Sequence, residues 1–412
     1  MSWDLYVRLS VMMFLEFAVW GAWAPVLAAR LLGPLKMSGK QTGWIYATLP
    51  LGCIISPLVA GQLADKYLNT EWILAGAHLL GAVLLLVAVT QRKFGGLFVV
   101  MLLYSLCYAA TLPLVNSLMF GHLGKVVAAD RIEAEAGKVF IMAPIAWALV
   151  GYFLTGVRQL HRQEGDGRDC LIMAGVLSVL MGIACLFLPE TRPPATGKIP
   201  VLEALGMLRD PNFLVFIVIS AVVAGLMQFY FLGTAQFMQD RGIPGRNVPA
   251  AMGVAQAAQA LATLFALGAL IDQLGYKWDL VSLVGYKWTL TVGAACWLLL
   301  YAIYVGLRSR WAIVLGQALH GMAYVTFIIA GQIYASKYAP KDIGGSVQAL
   351  YFAAALGVGL FVFTQMAGLV MDRFSAEGKF QWRAIWTVPL VIMALGVLAL
   401  IVAFQGTLPP RP

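Results

Sequence analysis

Charged residues are scarce in this chain. Aspartate, glutamate, lysine and arginine together make up 11% of its 412 residues, whereas they make up about 25% of a typical soluble domain. Hydrophobic residues make up 61% of the chain, compared with about 45–50% in soluble proteins. No water-soluble core can hide such an excess, so the composition excludes a soluble protein and predicts an integral membrane protein.

Residues that build metal centres and catalytic sites are also few. The five cysteines are scattered without metal-ligand spacing, and the four histidines have no acidic neighbours in sequence that would form a catalytic cluster. No nucleophile triad or phosphate-binding loop is visible. We therefore expect no enzyme, no bound metal and no cofactor. A membrane-embedded enzyme acting on lipids would need a His, Asp or Glu constellation near one interface, which the sequence does not offer.

The formal net charge of +9 is not concentrated in any basic run. Its 28 lysines and arginines are spread over nearly every loop, which is not the pattern of a nucleic-acid-binding surface. Anionic lipid head groups are the expected partner for these residues, and nucleic acid is not.

Long apolar runs fill the chain instead, and each has the roughly 20 residues needed to cross a hydrocarbon layer of about 30 Å. They predict an all-α membrane protein of twelve transmembrane helices. The predicted span centres lie near residues 19, 51, 81, 109, 147, 178, 225, 260, 297, 324, 356 and 393.

A polar stretch from Pro189 to Asp210, rich in proline and charge, divides these spans six and six. We predict an N-terminal bundle over residues 1–188, a central linker over 189–210 and a C-terminal bundle over 211–412. A short motif supports the division, since Gly61-Gln62-Leu63-Ala64-Asp65 is echoed by Gly268-Ala269-Leu270-Ile271-Asp272. Each motif ends an apolar run, so we expect its glycine at a close helix approach and its aspartate in a gating loop. The alternative for each aspartate is a simple turn residue.

The repeat continues inside the membrane. Glu16 precedes a glycine by five residues in the first span, as Gln228 does in the seventh. Tyr108 and Asn116 in the fourth span match Tyr324 and Gln332 in the tenth at a common offset of 216 residues. Two halves repeated about an axis along the membrane normal are typical of a rocking transporter, whose binding site lies near the midplane.

Glu16 is the acidic residue that lies deep in a predicted span. Counted from Tyr6, it is ten residues in, or roughly 15 Å from the membrane surface at 1.5 Å per residue. An ionised carboxylate at that depth costs about 2.5–3.5 kcal/mol, so the group should be protonated until water or a partner reaches it. Glu16 is therefore the candidate proton-coupling residue. The alternative is a permanently neutral acid that hydrogen-bonds inside the bundle.

Three glutamines and several aromatic residues are candidates for solute binding. Gln228, Gln256 and Gln259 offer donors and acceptors without charge, which suits hydroxyls and base edges, and the last two share one helix face. Trp147, Tyr324, Tyr108 and Trp20 can form flat apolar walls for a ring; Asn116 adds a polar group. The alternative for each glutamine is an interhelical hydrogen bond, and for each aromatic ring it is simple packing.

The paired motif with Asp65 and Asp272, after the second and eighth spans, resembles that of the major facilitator superfamily. Within it, the chain is similar to the nucleoside:proton symporter family. This likeness is carried by Phe14-Leu15-Glu16-Phe17, Trp20-Gly21-Ala22-Trp23 and Gly331-Gln332-Ile333-Tyr334. The resemblance implies alternating access, cytoplasmic termini in the inner membrane, a monomer, and nucleoside uptake driven by a proton gradient.

The resemblance also maps family solute contacts onto this sequence. Gln228, Gln256 and Trp147 match the family pattern, whereas Gln259 is an amide where the family has an acid. The family arginine falls on Phe140, its glycine-threonine on Ala143-Pro144, and its aromatic-aspartate pair on Tyr324 and Val325. The two missing acids leave alternatives open, namely an uncoupled facilitator, a symporter for a sugar-like or polyol-like solute, and a sensor that binds without transport.

Overall fold

The chain is built from long helices. A computed structural model describes residues 1–128, 132–160, 166–192, 205–266, 280–307, 309–339, 347, 350–376 and 379–408. Within them, the strands are a two-residue pair, β1 (Ser375–Ala376) against β2 (Lys379–Phe380), which joins antiparallel. The prediction of an all-α membrane protein is confirmed.

Eight helices precede the central polar stretch in the part of the chain that the structure describes. Serines begin two of them: Ser2 caps the first helix through the N–H of Leu5, and Ser38 forms a capping box with Gln41. The helices are α1 (Trp3–Trp23), α2 (Leu27–Leu32), α3 (Gly39–Lys66), α4 (Thr70–Thr90), α5 (Phe94–Val126), α6 (Ile132–Phe140), α7 (Met142–Leu160) and α8 (Asp169–Cys185).

The remaining described helices follow a 3₁₀ turn at Met207–Arg209. They are α9 (Pro211–Asp240), α10 (Val248–Ala266), α11 (Leu280–Gly306), α12 (Arg310–Ala323), α13 (Ala330–Tyr338), α14 (Leu360–Arg373) and α15 (Trp382–Val402), with a further 3₁₀ turn at Gly245–Asn247 and two π-helical segments, Tyr324–Ile329 and Ala353–Gly359.

Ten described helical segments are long and apolar enough to cross a membrane. Helix α8, with 17 residues, is a shorter apolar helix, and α10 has 19 residues. All twelve predicted span centres fall on helical residues. The chain is therefore a multi-pass membrane protein.

The chain divides into two compact units. The first comprises Met1–Thr196 with Phe231–Gln256, and the second comprises Gly197–Tyr230 with Ala257–Pro412. In the first unit α3 packs on α5, α4 on α5 and α8, and α1 on α7 and α8. In the second unit α11 packs on α12 and α15. The division predicted at residues 189–210 stays a prediction.

Burial along α4 explains why an apolar helix has two different faces. Leu74 and Leu85 are completely buried, whereas Leu80 and Val83 are 54% and 58% exposed. In a membrane-spanning helix, apolar side chains face both the bundle and the lipid. Helix α4 therefore presents one apolar face to its neighbours and another to hydrocarbon.

Glycines allow close approaches between helices, but not at the predicted position. A Cβ on Gly52 would come within 2.6 Å of the Ser105 carbonyl oxygen, so α3 and α5 pack backbone to backbone there. At Gly61, a Cβ would meet no described atom within 4 Å. The close approach predicted for Gly61 is therefore wrong for the described part of the chain, and Gly268 lies outside the described residues.

Candidate functional site

Glu16 lies on α1 inside the first unit with none of its surface exposed. Its Oε1 accepts a hydrogen bond from Thr111 Oγ1 at 2.7 Å, and its Oε2 lies 2.8 Å from His78 Nε2. Its backbone carbonyl accepts a hydrogen bond from the Tyr108 hydroxyl at 2.8 Å. The carboxyl group is thereby held between α4 and α5.

His78 on α4 is a site residue that the sequence did not predict, because it seemed isolated. It is 1% exposed at its side chain, and the ring is fixed from its far side by Ser178 Oγ, 3.2 Å from Nδ1. Its position, three residues from the predicted centre of the third span, was a signal in the sequence. A titratable side chain at such depth is a functional candidate.

Three of the predicted aromatic residues meet in the first unit. The ring centroids of Trp20 and Trp147 are 5.3 Å apart at 73°, and those of Trp20 and Tyr108 are 6.3 Å apart at 60°. Trp147 packs against Gly21, where a Cβ would come within 2.9 Å of its indole ring. Because Gly21 has no side chain, the indole ring of Trp147 can pack directly against α1. These rings form a continuous apolar wall.

Gln256 is the predicted glutamine that belongs to this wall. It is 8% exposed, and with Trp147 and Gly21 it lines a cavity of about 10 Å³. Such a space holds about one water molecule, which is far smaller than a nucleoside. The cavity marks where a polar amide meets the aromatic wall, and it is too small to hold the solute.

Gln228, Gln259 and Tyr324 lie in the second unit. Gln228 is 5% exposed and its Oε1 has no hydrogen-bond partner among the described residues. Gln259 is 7% exposed, and its backbone carbonyl accepts from Thr263 Oγ1 at 2.8 Å. Tyr324 begins a π-helical segment, a feature that often occurs at functional sites.

Asn116 lies on α5, in the first unit. Its Oδ1 is buried and has no hydrogen-bond partner within the described ranges. A buried acceptor without a hydrogen-bond partner is rare in folded proteins. Asn116 and Gln228 therefore each have an amide oxygen without a hydrogen-bond partner among the described residues.

The predicted gating residues are described only in part. Asp65 lies in the last turn of α3, and its side chain is outside the described set. Asp272 lies outside the described residues altogether. Their proposed gating role stays a prediction.

A larger cavity, of about 450 Å³, lies in the first unit at the end of α2 and beside the turn at Gly245–Asn247. Arg30 and Asp166 line it and pair at 3.0 Å. Burial disfavours the charge of Asp166, but the backbone N–H of Arg168 and the Arg30 guanidinium outweigh this and lower the pKa of the carboxyl group.

Arg158 on α7 lines the same cavity and ties three segments together. Its guanidinium grips Asp169 at the start of α8 through two nitrogens, one of them Nη2 at 2.7 Å from Oδ1. Its Nη1 donates to the Gly245 carbonyl oxygen at 3.1 Å. Arg158 therefore connects α7 both to the start of α8 and to the turn between α9 and α10.

Comparison with known proteins shows which family this chain matches. The family described as "Nucleoside H+ symporter" matches residues 3–407. The putative nucleoside transporter YegT of Escherichia coli K12 is 29% identical over 416 residues, which cover 97% of this chain and 93% of YegT. The nucleoside permease NupG of the same organism is 24% identical over 411 residues, covering 93% and 92% of the two chains.

The solved structure of NupG superposes with a TM-score of 0.81. The superposition covers 97% of this chain and 99% of NupG, at 21% sequence identity. At that identity the likeness establishes the fold, which is the major facilitator fold predicted from the sequence.

Proposed function

We propose, from the premise that this chain belongs to the nucleoside H+ symporter family, that it imports a nucleoside, or a similar neutral polar solute, by alternating access and couples this uptake to proton entry. Membership rests on the match over residues 3–407, nearly the whole chain. The protein is a transporter, and its solute and coupling are the parts that we propose.

Proton coupling through Glu16 is supported by one observation above all. This carboxyl group is completely buried in a membrane-spanning helix and is held by hydrogen bonds from neighbouring helices. An uncompensated charge at such a place is costly, so the group favours a protonated or paired form until water reaches it. A buried acid whose charge depends on access to water has the property that a proton-coupled cycle needs.

The family resemblance also directs attention to Glu16. The family acids of the eighth and tenth spans fall on Gln259 and Val325, neither of which can exchange a proton. Since those positions are neutral in this chain, the acid of the first span is left to carry the coupling.

Solute recognition is supported by the unused polar groups and the aromatic wall. Gln228 carries a buried amide oxygen without a partner in the described chain. A solute hydroxyl or ring N–H would supply the missing donor. A buried acceptor that is left without a hydrogen bond costs about 1–3 kcal/mol. The rings of Trp20, Trp147 and Tyr108 suit a planar base or a sugar face.

We further propose that the protein is a monomer in the inner membrane with both termini in the cytoplasm. Loop charges do not decide this orientation, because 13 of the 28 basic residues would lie inside and 15 outside. The proposed orientation therefore rests on membership of the family.

Reconstitution in liposomes tests the proposal. Uptake of radiolabelled uridine and adenosine is measured with and without an inward-acid pH gradient, for wild type, Glu16→Gln and the control Glu190→Gln. Glu190 is an exposed acid that pairs with Arg192 at 3.0 Å. We expect gradient-driven uptake in wild type and in the control, and its loss in Glu16→Gln.

The outcomes separate the alternatives. Uptake that is unaffected by the gradient would favour an uncoupled facilitator. Absence of nucleoside uptake by folded protein would mean that the changes at Phe140, Gln259 and Val325 have altered the solute.

A further inference from the structure

Glu16 belongs to a chain of five hydrogen-bond contacts in the first unit. Thr111 Oγ1 lies 2.6 Å from the Tyr108 carbonyl oxygen and 2.7 Å from Glu16 Oε1. Glu16 Oε2 lies 2.8 Å from His78 Nε2, and His78 Nδ1 lies 3.2 Å from Ser178 Oγ. Ser178 Oγ in turn lies 2.8 Å from the His78 carbonyl oxygen. The His78 carbonyl closes the Ser178 end of the chain; at the other end the single hydrogen of Thr111 faces two acceptors, and we take it as donated to Glu16 Oε1.

The carbonyl at the Ser178 end fixes the direction of the bonds around the histidine. A carbonyl oxygen only accepts, and a serine hydroxyl has one hydrogen to donate. The Ser178 hydroxyl donates to the His78 carbonyl oxygen, so its own oxygen accepts from the ring. His78 Nδ1 therefore carries a hydrogen, and the ring presents Nε2 to Glu16.

One proton then has to lie between Glu16 Oε2 and His78 Nε2. It resides either on the carboxyl group, which donates to a neutral ring, or on the ring, which donates as an imidazolium to the carboxylate. The pair is neutral overall in both forms. Without this proton, a carboxylate would face the lone pair of Nε2, with a net charge of −1 among side chains that are 0% and 1% exposed.

We propose that Glu16 and His78 form a single proton carrier, in which His78 is a second proton-coupling residue and Ser178 is a positioning residue. This inference rests on the proposed function. Loading adds one proton from water to the pair of net charge −1 and makes it neutral; unloading returns that proton to water on the other side. The cycle requires no other reactant.

The described side chains of the helices around the pair do not compete for this role. Besides His78, the described titratable groups that interact electrostatically with Glu16 include three that are neutral near pH 7 by their ordinary pKa values, about 10 for Tyr and about 8.5 for Cys. These groups are Tyr104, Tyr108 and Cys185. Among the described side chains, Glu135 and Lys138 of α6 pair with one another, and Arg158 of α7 pairs with Asp169 of α8.

Uridine uptake by the full-length protein in liposomes tests the carrier. His78→Gln is compared with His122→Gln, a matched control at a buried histidine that bonds Thr191 Oγ1 instead. In His78→Gln the proton can no longer bind to the ring nitrogen Nε2. The midpoint of the pH profile of uptake should therefore move about one unit to lower pH, and uptake near neutral pH should fall about tenfold. Counterflow exchange, which needs no net proton movement, should stay within about threefold of wild type, and His122→Gln should behave as wild type.

Ser178→Ala gives a second, milder test. The variant keeps both titratable groups and removes the acceptor for Nδ1, so the midpoint should shift in the same direction by a smaller amount. A purely structural role for Ser178 would change the amplitude of uptake without moving its midpoint.

A measurement without solute separates this inference from the proposed function. Nitrogen-15 spectra of histidine-labelled protein report the two ring nitrogens of His78, assigned by their absence in His78→Gln. We expect Nδ1 to stay protonated while Nε2 responds to pH, and we expect Glu16→Gln to change the response of Nε2. These results in a protein that transports no nucleoside would refute the proposed function and leave the pair standing.

Two results would overturn the inference. The first is a His78→Gln variant with the wild-type pH profile and accumulation. The second is an unprotonated Nδ1, or an Nε2 signal that Glu16→Gln leaves unchanged.

Discussion

The strongest structural prediction concerns Arg158, which is 9% exposed and ties α7 to both Asp169 and the Gly245 carbonyl. Arg158→Ala removes three hydrogen bonds made by one guanidinium. Hydrogen bonds to charged groups contribute about 1.5–3 kcal/mol each, and breaking a buried pair costs about 3–5 kcal/mol. Asp169 is 28% exposed at its side chain, so water recovers part of the loss.

We therefore expect Arg158→Ala to lower the free energy of unfolding by about 2–4 kcal/mol, which is below the full cost of a buried pair. Arg158→Lys should recover part of this, because it keeps the charge and loses the two-pronged contact. Denaturant unfolding in detergent measures the change, and limited proteolysis reports whether the turn at Gly245–Asn247 is released.

A double-mutant cycle isolates the pair. Asp169→Asn combined with Arg158→Ala should show a coupling of at least about 1 kcal/mol, since the two side chains are in direct contact. Strict additivity, or a single-mutant change below about 0.5 kcal/mol, would refute the reasoning.

Three further predictions follow from local geometry. Gly52→Val should destabilise the first unit by about 1–3 kcal/mol, measured by unfolding in detergent, because its side chain would collide with the Ser105 carbonyl oxygen; a wild-type stability would contradict the close contact. Asp166→Asn should lower stability near neutral pH. Because the folded pKa of Asp166 is lowered, its contribution is complete above the unfolded pKa of about 3.9 and is lost as pH falls through the folded value; a difference from wild type that persists in stronger acid would argue against it. Thr111→Val should lower gradient-driven uptake, because Glu16 Oε1 loses the hydroxyl that lies 2.7 Å away; wild-type uptake would argue against a role for that hydrogen bond.

Hydropathy accounts for most of the fold that the sequence predicted. Each span centre falls on a helix because a run of about 20 apolar residues has few other stable forms in a membrane. Close helix contacts were less predictable. The motif at Gly61 suggested one, yet Gly52 makes it, since contact depends on which face of α3 meets α5 and a motif does not record that.

The candidate site was predicted in part for a similar reason. Depth alone identified Glu16, because an acid in the middle of an apolar span stands out in the sequence. His78 is 62 residues away along the chain, and nothing local in the sequence indicates that α1 and α4 bring the two together. The bonds of Ser178 and Thr111 depend on side-chain direction as well, which only packing determines.

Proton movement driven by the solute tests the central claim most directly. Liposomes containing the protein and a trapped pH indicator, with no imposed gradient, receive external uridine. We predict that the interior becomes acidic with wild-type protein and stays unchanged with Glu16→Gln. Uridine entry without acidification in wild type, or equal acidification in Glu16→Gln, would contradict proton-coupled uptake through Glu16.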